Sequence, residues 1–76
     1  MNEKILDATG LLCPLPVLKL RKHLKFMKIG DVVAVLADDP AAAIDIPHFC
    51  NETGHTLISQ KATESCVTEY HVRKEI

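Results

Sequence analysis

Apolar residues recur along this chain with two different periods. From Pro14 to Lys28 the spacing is helical: at 100° per residue Val17, Leu20, Leu24 and Met27 fall within an arc of about 80°. Lys19, Arg21, Lys22, Lys25 and Lys28 take the opposite side. Leu18 lies in the middle of that basic face, with Leu15 and Phe26 near its edge, so apolar surface is presented among the charges. Ile29-Gly30-Asp31 ends the helix with a glycine in the expected place. Asp31 to Ala37 is a β-branched run apolar on both parities, which predicts a central strand covered on both sides or nearly so.

The remaining elements follow from punctuation. Lys4 to Thr9 predicts a short first strand. Asp39 reads as an N-cap with Pro40 at the first helical position, and Asp45-Ile46-Pro47 as a second capped start. A kinked helix or two abutting pieces is therefore expected up to Gly54, with Ala42, Ile46, Phe49 and Cys50 facing the core. His55 to Ala62 and Cys66 to Lys74 predict an antiparallel hairpin, turning at Thr63-Glu64-Ser65. The order βαβαββ implies an α/β two-layer sandwich over residues 1–76 as one domain, a four-stranded mixed sheet with both helices packed on one face.

Composition narrows the class. With 47% apolar residues and three aromatics, 76 residues support one modest core. The net charge of −1 argues against direct DNA binding. Yet Lys19, Arg21, Lys22, Lys25 and Lys28 are five of nine basic residues, and no acid lies between Asp7 and Asp31. One element is strongly basic. Three widely spaced cysteines make no disulfide framework and nothing at the start resembles a signal peptide, so the reducing cytoplasm is expected. The longest apolar run, Val32 to Ala37, is too short for a membrane span. The chain is expected to act as a monomer.

The candidate chemistry lies at Gly10-Leu11-Leu12-Cys13-Pro14-Leu15-Pro16, where the first strand gives way to the basic helix. A cysteine before a helix-opening proline is expected at the N-cap, with Pro14 at the first helical position. Pro14 and Pro16 lack N–H groups, so the Leu15 N–H is the expected donor to the Cys13 sulfur. The helix dipole then lowers the thiol pKa and makes Cys13 a candidate nucleophile. Gly10 lets the strand turn sharply toward the helix. An acid near a thiolate raises its pKa, so Asp7 is expected to hold the loop by hydrogen bonds; Asp38 and Asp39 read as helix caps. Cys50 reads as core and Cys66 as a strand residue. His23, His48, His55 and His71 show no metal-ligand spacing with the cysteines, and there is no Cys-x-x-Cys, so neither a metal nor another cofactor is called for.

Leu6-Asp7-Ala8-Thr9-Gly10-Leu11-Leu12-Cys13-Pro14-Leu15-Pro16 resembles the signature of the TusA, or SirA-like, family of small sulfur carriers. Asp39-Pro40, Asp45-Ile46-Pro47 and Gly54-His55 are similar to that family's second helix and following turn. The resemblance implies a two-layer fold and a persulfide relay on Cys13, loaded by a cysteine desulfurase or other persulfide donor and unloaded to a downstream acceptor protein. A tRNA 2-thiouridine is one destination; relatives serve sulfur oxidation, molybdenum-cofactor synthesis or selenium handling. Lys19, Arg21, Lys22 and Lys25 would dock acidic partners. Two rival functions stand beside this one. A thiol-redox sensor would use Cys50 or Cys66 as the resolving thiol. A noncatalytic RNA- or protein-binding module would bind without Cys13, although Phe26, Phe49 and Tyr70 make no stacking platform.

Overall fold

The computed structural model of the chain describes residues 5–63 and 65–76. Its elements run β1 (Ile5–Asp7), α1 (Leu15–Leu24), β2 (Val32–Ala37), α2 (Ala42–Thr53), β3 (Thr56–Ala62) and β4 (Thr68–Arg73), the expected βαβαββ order. The four strands form one mixed sheet in the order β1-β2-β4-β3. β1 pairs parallel to β2, because a helix carries the chain back between them; β4 is antiparallel to both β2 and β3. Lys4, in the expected first strand, and Glu64, in the expected turn, lie outside the described residues.

The core forms where one sheet face meets the two helices. Leu6, Val33, Val35, Ala37, Tyr70 and Val72 from the strands pack with Leu20 and Leu24 of α1 and Ala42, Ile46 and Cys50 of α2. Val17, Met27 and Phe49 pack against its margin. The other sheet face is comparatively open, and β2, fully covered on its helix-facing side, is only partly covered on this one. Val33, Val35 and Ala37 are buried, while Ala34 and Leu36 are half-buried and Val32 is exposed. These three face the helix-free side opposite Arg73, His71 and Glu69 of β4.

Element boundaries shift from expectation chiefly at the end of α1 and the start of β4. α1 ends at Leu24 rather than Lys28, because the chain tightens there into a series of i→i+3 bonds: Lys25, Phe26 and Met27 donate to Lys22, His23 and Leu24. This still carries Met27 back toward the core, and Gly30, at φ +95°, makes the turn into β2. α2 is one helix through Pro47 rather than two abutting pieces, and it ends at Gly54 as expected. The bond lost there would have gone to the Ala43 carbonyl, and Ala43 is exposed, so water can satisfy it. Gly54 closes α2 in the left-handed region, its N–H bonded to the Cys50 carbonyl. Cys66 belongs to the hairpin turn rather than to a strand: it is exposed at φ +65°, and β4 begins at Thr68.

Candidate functional site

The loop from Ala8 to Pro14 crosses one end of the sheet, and the loop leaving β2 anchors it. β1 and β2 lie side by side, so their exits are adjacent, and the Ala8 N–H still bonds the Leu36 carbonyl at 2.8 Å. Beyond this the strands stop pairing and side chains take over. The Gly10 N–H donates to Asp38 Oδ1 at 3.0 Å and the Cys13 N–H to Asp39 Oδ2 at 2.6 Å. Gly10 sits at φ +80°, where any other residue would be strained. On the strand side Asp7 Oδ1 accepts both the Thr9 hydroxyl, at 2.6 Å, and the Thr9 N–H, at 2.9 Å. Those two bonds, the hydroxyl one foremost, hold the Asp7 carboxyl below the usual carboxylate range. Asp7 has the structural role expected of it.

Asp38 and Asp39 do more than the capping read from the sequence. α2 begins at Ala42, its N-cap is Ala41, and no side chain caps it. Asp39 Oδ1 accepts the Ala41 N–H at 3.3 Å, a turn bond before the helix, while Oδ2 reaches across to Cys13. One carboxylate thus ties the start of the α2 segment to the cysteine loop.

The start of α1 also differs from expectation. Pro14, rather than Cys13, is the N-cap; the Cys13–Pro14 peptide bond is cis, and the helix opens at Leu15 with Pro16 next. The Leu15 N–H donates to the Leu12 carbonyl at 2.8 Å, so it is not the donor to the sulfur. Cys13 therefore sits one residue outside the helix. Pro16 is buried beneath the loop, whereas Leu12, Cys13, Pro14 and Leu15 are exposed.

This placement reverses the expected electrostatics of the thiol. Its hydrogen bond to the Asp45 carboxylate raises the Cys13 pKa above the ordinary thiol value, with partial desolvation and then the charges of Asp45 and Asp39 acting the same way. Cys13 at rest is an exposed, neutral thiol, and Asp45, read from the sequence only as the cap of a second helix piece, is its immediate partner. No local pattern pointed to Asp45, which is far from Cys13 in the chain and reaches it only through the fold.

The basic face of α1 adjoins this loop. Lys19 Nζ donates to the Asp7 carbonyl at 2.5 Å and fastens the helix to the end of β1. Arg21, Lys22 and Lys25 are exposed, as are Leu15, Leu18 and Phe26 beside them. Cys50 is buried, and its thiol pKa is raised by that burial. Among the described residues no group of three or more His, Cys, Asp or Glu side chains could hold a metal ion. No helix among them is long and apolar enough to cross a membrane.

A two-layer βαβαββ domain presenting an exposed cysteine in Cys-Pro-x-Pro is the architecture of a small sulfur-transfer protein. Residues 4–74 match the family described as sulfurtransferase TusA, and the chain belongs to that family. Two relatives from Neisseria meningitidis, serogroups A and B, each named "Putative sulfur carrier protein", are 46% identical over 68 residues, spanning 90% of this chain and 92% of theirs. The crystal structure of a SirA-like protein from Desulfitobacterium hafniense superposes with a TM-score of 0.82 at 25% identity, covering 95% of this chain and 97% of that one. These likenesses support a sulfur-carrier role and match the expected fold.

Proposed function

We propose that this chain is a persulfide relay in which Cys13 accepts sulfur from a cysteine desulfurase or rhodanese-type donor and passes it to an acceptor protein. The observation that carries the reading is the exposed Cys13 on a loop held at two backbone N–H groups, those of Gly10 and Cys13, by Asp38 and Asp39. A cysteine that must enter another protein's active site has to be exposed, and one that must meet a persulfide in line has to be held in position. In the transfer the Cys13 sulfur attacks the outer sulfur of the donor persulfide. The new S–S bond forms as the old one breaks, the donor cysteine leaves as thiolate, and the Cys13 proton passes to Asp45 or to water.

The neutral resting thiol fits a carrier better than a free-standing catalyst. The thiolate is the reactive form, so a thiol held neutral between transfers resists stray oxidation. A donor that sets a cation against Asp39 and Asp45 offsets their charge and favours the thiolate at the moment of contact. Arg21, Lys22 and Lys25 would steer acidic surfaces of donor and acceptor to the same end of the molecule. Delivery to tRNA 2-thiouridine synthesis, in a cytoplasmic setting and as a monomer, is the destination in keeping with this reading.

Intact-protein mass spectrometry after incubation with a cysteine desulfurase and cysteine tests it. The expected result is a gain of one sulfur mass, reversed by reductant and absent in Cys13→Ser. Retained loading in that variant would overturn the assignment. A loss of two hydrogens without added sulfur would favour the redox reading, with Cys66 as the resolving thiol, since Cys50 is buried.

A further inference from the structure

A groove of about 230 Å³ opens between the C-terminal ends of α1 and α2, away from the Cys13 loop. Arg21 and Lys25, one helical turn apart, form one wall; Phe49 and His55 form the other, with Lys74 and Ile76 at the rim. Its polar groups are organised to donate. Lys74 Nζ donates to the Met27 carbonyl at 2.7 Å, which fixes the ammonium and leaves two of its N–H donors free. His55 Nδ1 accepts the Glu75 N–H at 3.1 Å, so the neutral ring carries its proton on Nε2, a further donor. The Thr53 hydroxyl is already bonded to the Phe49 carbonyl, and the Glu75 carboxylate is held by Thr56 and Arg73. The Phe49 and His55 rings meet at 6.2 Å and 32°, so that wall is aromatic, and Leu24 lines the groove with it.

Size selects among occupants. Pockets that enclose whole small molecules run to about 300–1,000 Å³, and this groove is smaller and open, suited to one or two side chains of a larger body. Charge selects further: three cations, Lys74 held by the Met27 carbonyl and Arg21 and Lys25 exposed, lie beside apolar Phe49 and Leu24 and complement a carboxylate next to a bulky apolar side chain. We propose that the groove is a docking site for a short acidic and apolar segment of a partner protein, its carboxylate among Arg21, Lys25 and Lys74 and its apolar side chain on Phe49 and Leu24. The proposal rests on the carrier reading and names the chemistry of a second contact. From Leu15 to Lys25 the helix rises about 15 Å, so a partner held here can still place its own cysteine at Cys13. A segment that binds weakly by itself then raises the local concentration of the reacting pair without a tight interface to undo.

The test is a titration of the ¹⁵N-labelled full chain with the capped hexapeptide Asp-Glu-Leu-Phe-Glu-Asp and with its amide control Asn-Gln-Leu-Phe-Gln-Asn. Saturable shifts at Arg21, Lys25, Thr53, His55 and Lys74 are expected, with the amide control at least about fivefold weaker, as loss of charge-assisted hydrogen bonds requires. Arg21→Glu and Lys25→Glu, both at exposed helix positions whose spectra report folding directly, should weaken the acidic peptide by about tenfold or more. Lys61→Glu on β3, the same charge change on another surface, should leave affinity unchanged. Equal binding of the amide control, shifts centred on Leu15 and Leu18 instead, or full affinity in Lys25→Glu would each overturn the proposal. Loading of Cys13 by inorganic polysulfide, read by mass on the same samples, needs no docked protein. The groove and the carrier chemistry can therefore fail independently.

Discussion

Replacing Asp39 by alanine should separate two effects that a simple loss of stability would not. Asp39 accepts the Cys13 N–H at 2.6 Å and the Ala41 N–H at 3.3 Å, and it adds negative charge near the Cys13 thiol. Hydrogen bonds to charged groups contribute about 1.5–3 kcal/mol each in protected settings. Asp39 is only half-buried, so water recovers part of that; the short bond is taken at about 1 kcal/mol and the long one at about 0.5. A loss of about 1.5 kcal/mol at 4–8 °C per kcal/mol lowers Tm by roughly 6–12 °C. The second effect runs the other way for reactivity: one negative charge fewer near the sulfur favours the thiolate, so the pH midpoint of Cys13 alkylation should fall. Calorimetry, amide exchange at Cys13 and the pH profile of iodoacetamide labelling read these effects separately. A variant melting within about 2 °C of the parent, with Cys13 amide exchange unchanged, would refute the anchoring role.

Other expectations follow from the same geometry. Asp45→Asn removes the carboxylate that accepts the thiol hydrogen bond, so the alkylation midpoint should fall further than in the Asp39 variant; an unmoved or higher midpoint contradicts the assigned contact. Leu20 is 0% exposed and Leu18 48% exposed, two positions apart on α1. Leu20→Ala should cost about 2–5 kcal/mol and Leu18→Ala less than about 0.5, by denaturant titration; similar costs would refute the assigned helix faces. Cys13, Cys50 and Tyr70 all hold their protons more tightly in the fold than at their ordinary values, chiefly through the Asp45 bond for the first and burial for the other two. The stability from these raised values is complete below the unfolded-state thiol value and is lost as pH rises through the folded ones. Unfolding midpoints should therefore decline from about pH 9 upward, and a midpoint rising through that window contradicts the shifts.

The fold was legible because each element carries its own period and punctuation. Leu20 and Leu24, Val33 and Val35, Ala42, Ile46 and Cys50 all reach the core as their spacing required. The errors fall where a local rule met a longer-range contact. The helical spacing runs four residues past the end of α1 because Met27 keeps it, and i→i+3 turns preserve that spacing for one more turn. Cys66 reads as a strand residue because a left-handed backbone leaves no trace in a single cysteine, although β4 begins only at Thr68.

The site shows the same limit more sharply. Gly10, Cys13 and the prolines stand out from their own neighbourhood, but that neighbourhood alone points to a lowered thiol pKa where the fold raises it. A cysteine before a proline and an aspartate before a proline are both local capping signatures, and each was read as serving its own helix. The parallel pairing of β1 with β2 instead places the two strand exits side by side, so that the aspartates after β2 face the loop after β1. The distances in sequence are too large for any capping rule to register. Once the two loops meet, Cys13 lies outside the first turn of a helix that begins at Leu15, while the carboxylates of Asp45 and Asp39 hold the proton on its sulfur. Helix-end effects fade within a turn, so the carboxylates prevail. What the motif supplies is exposure and position; protonation is set by the segment after β2, which makes that segment the place to alter thiol reactivity without touching the cysteine.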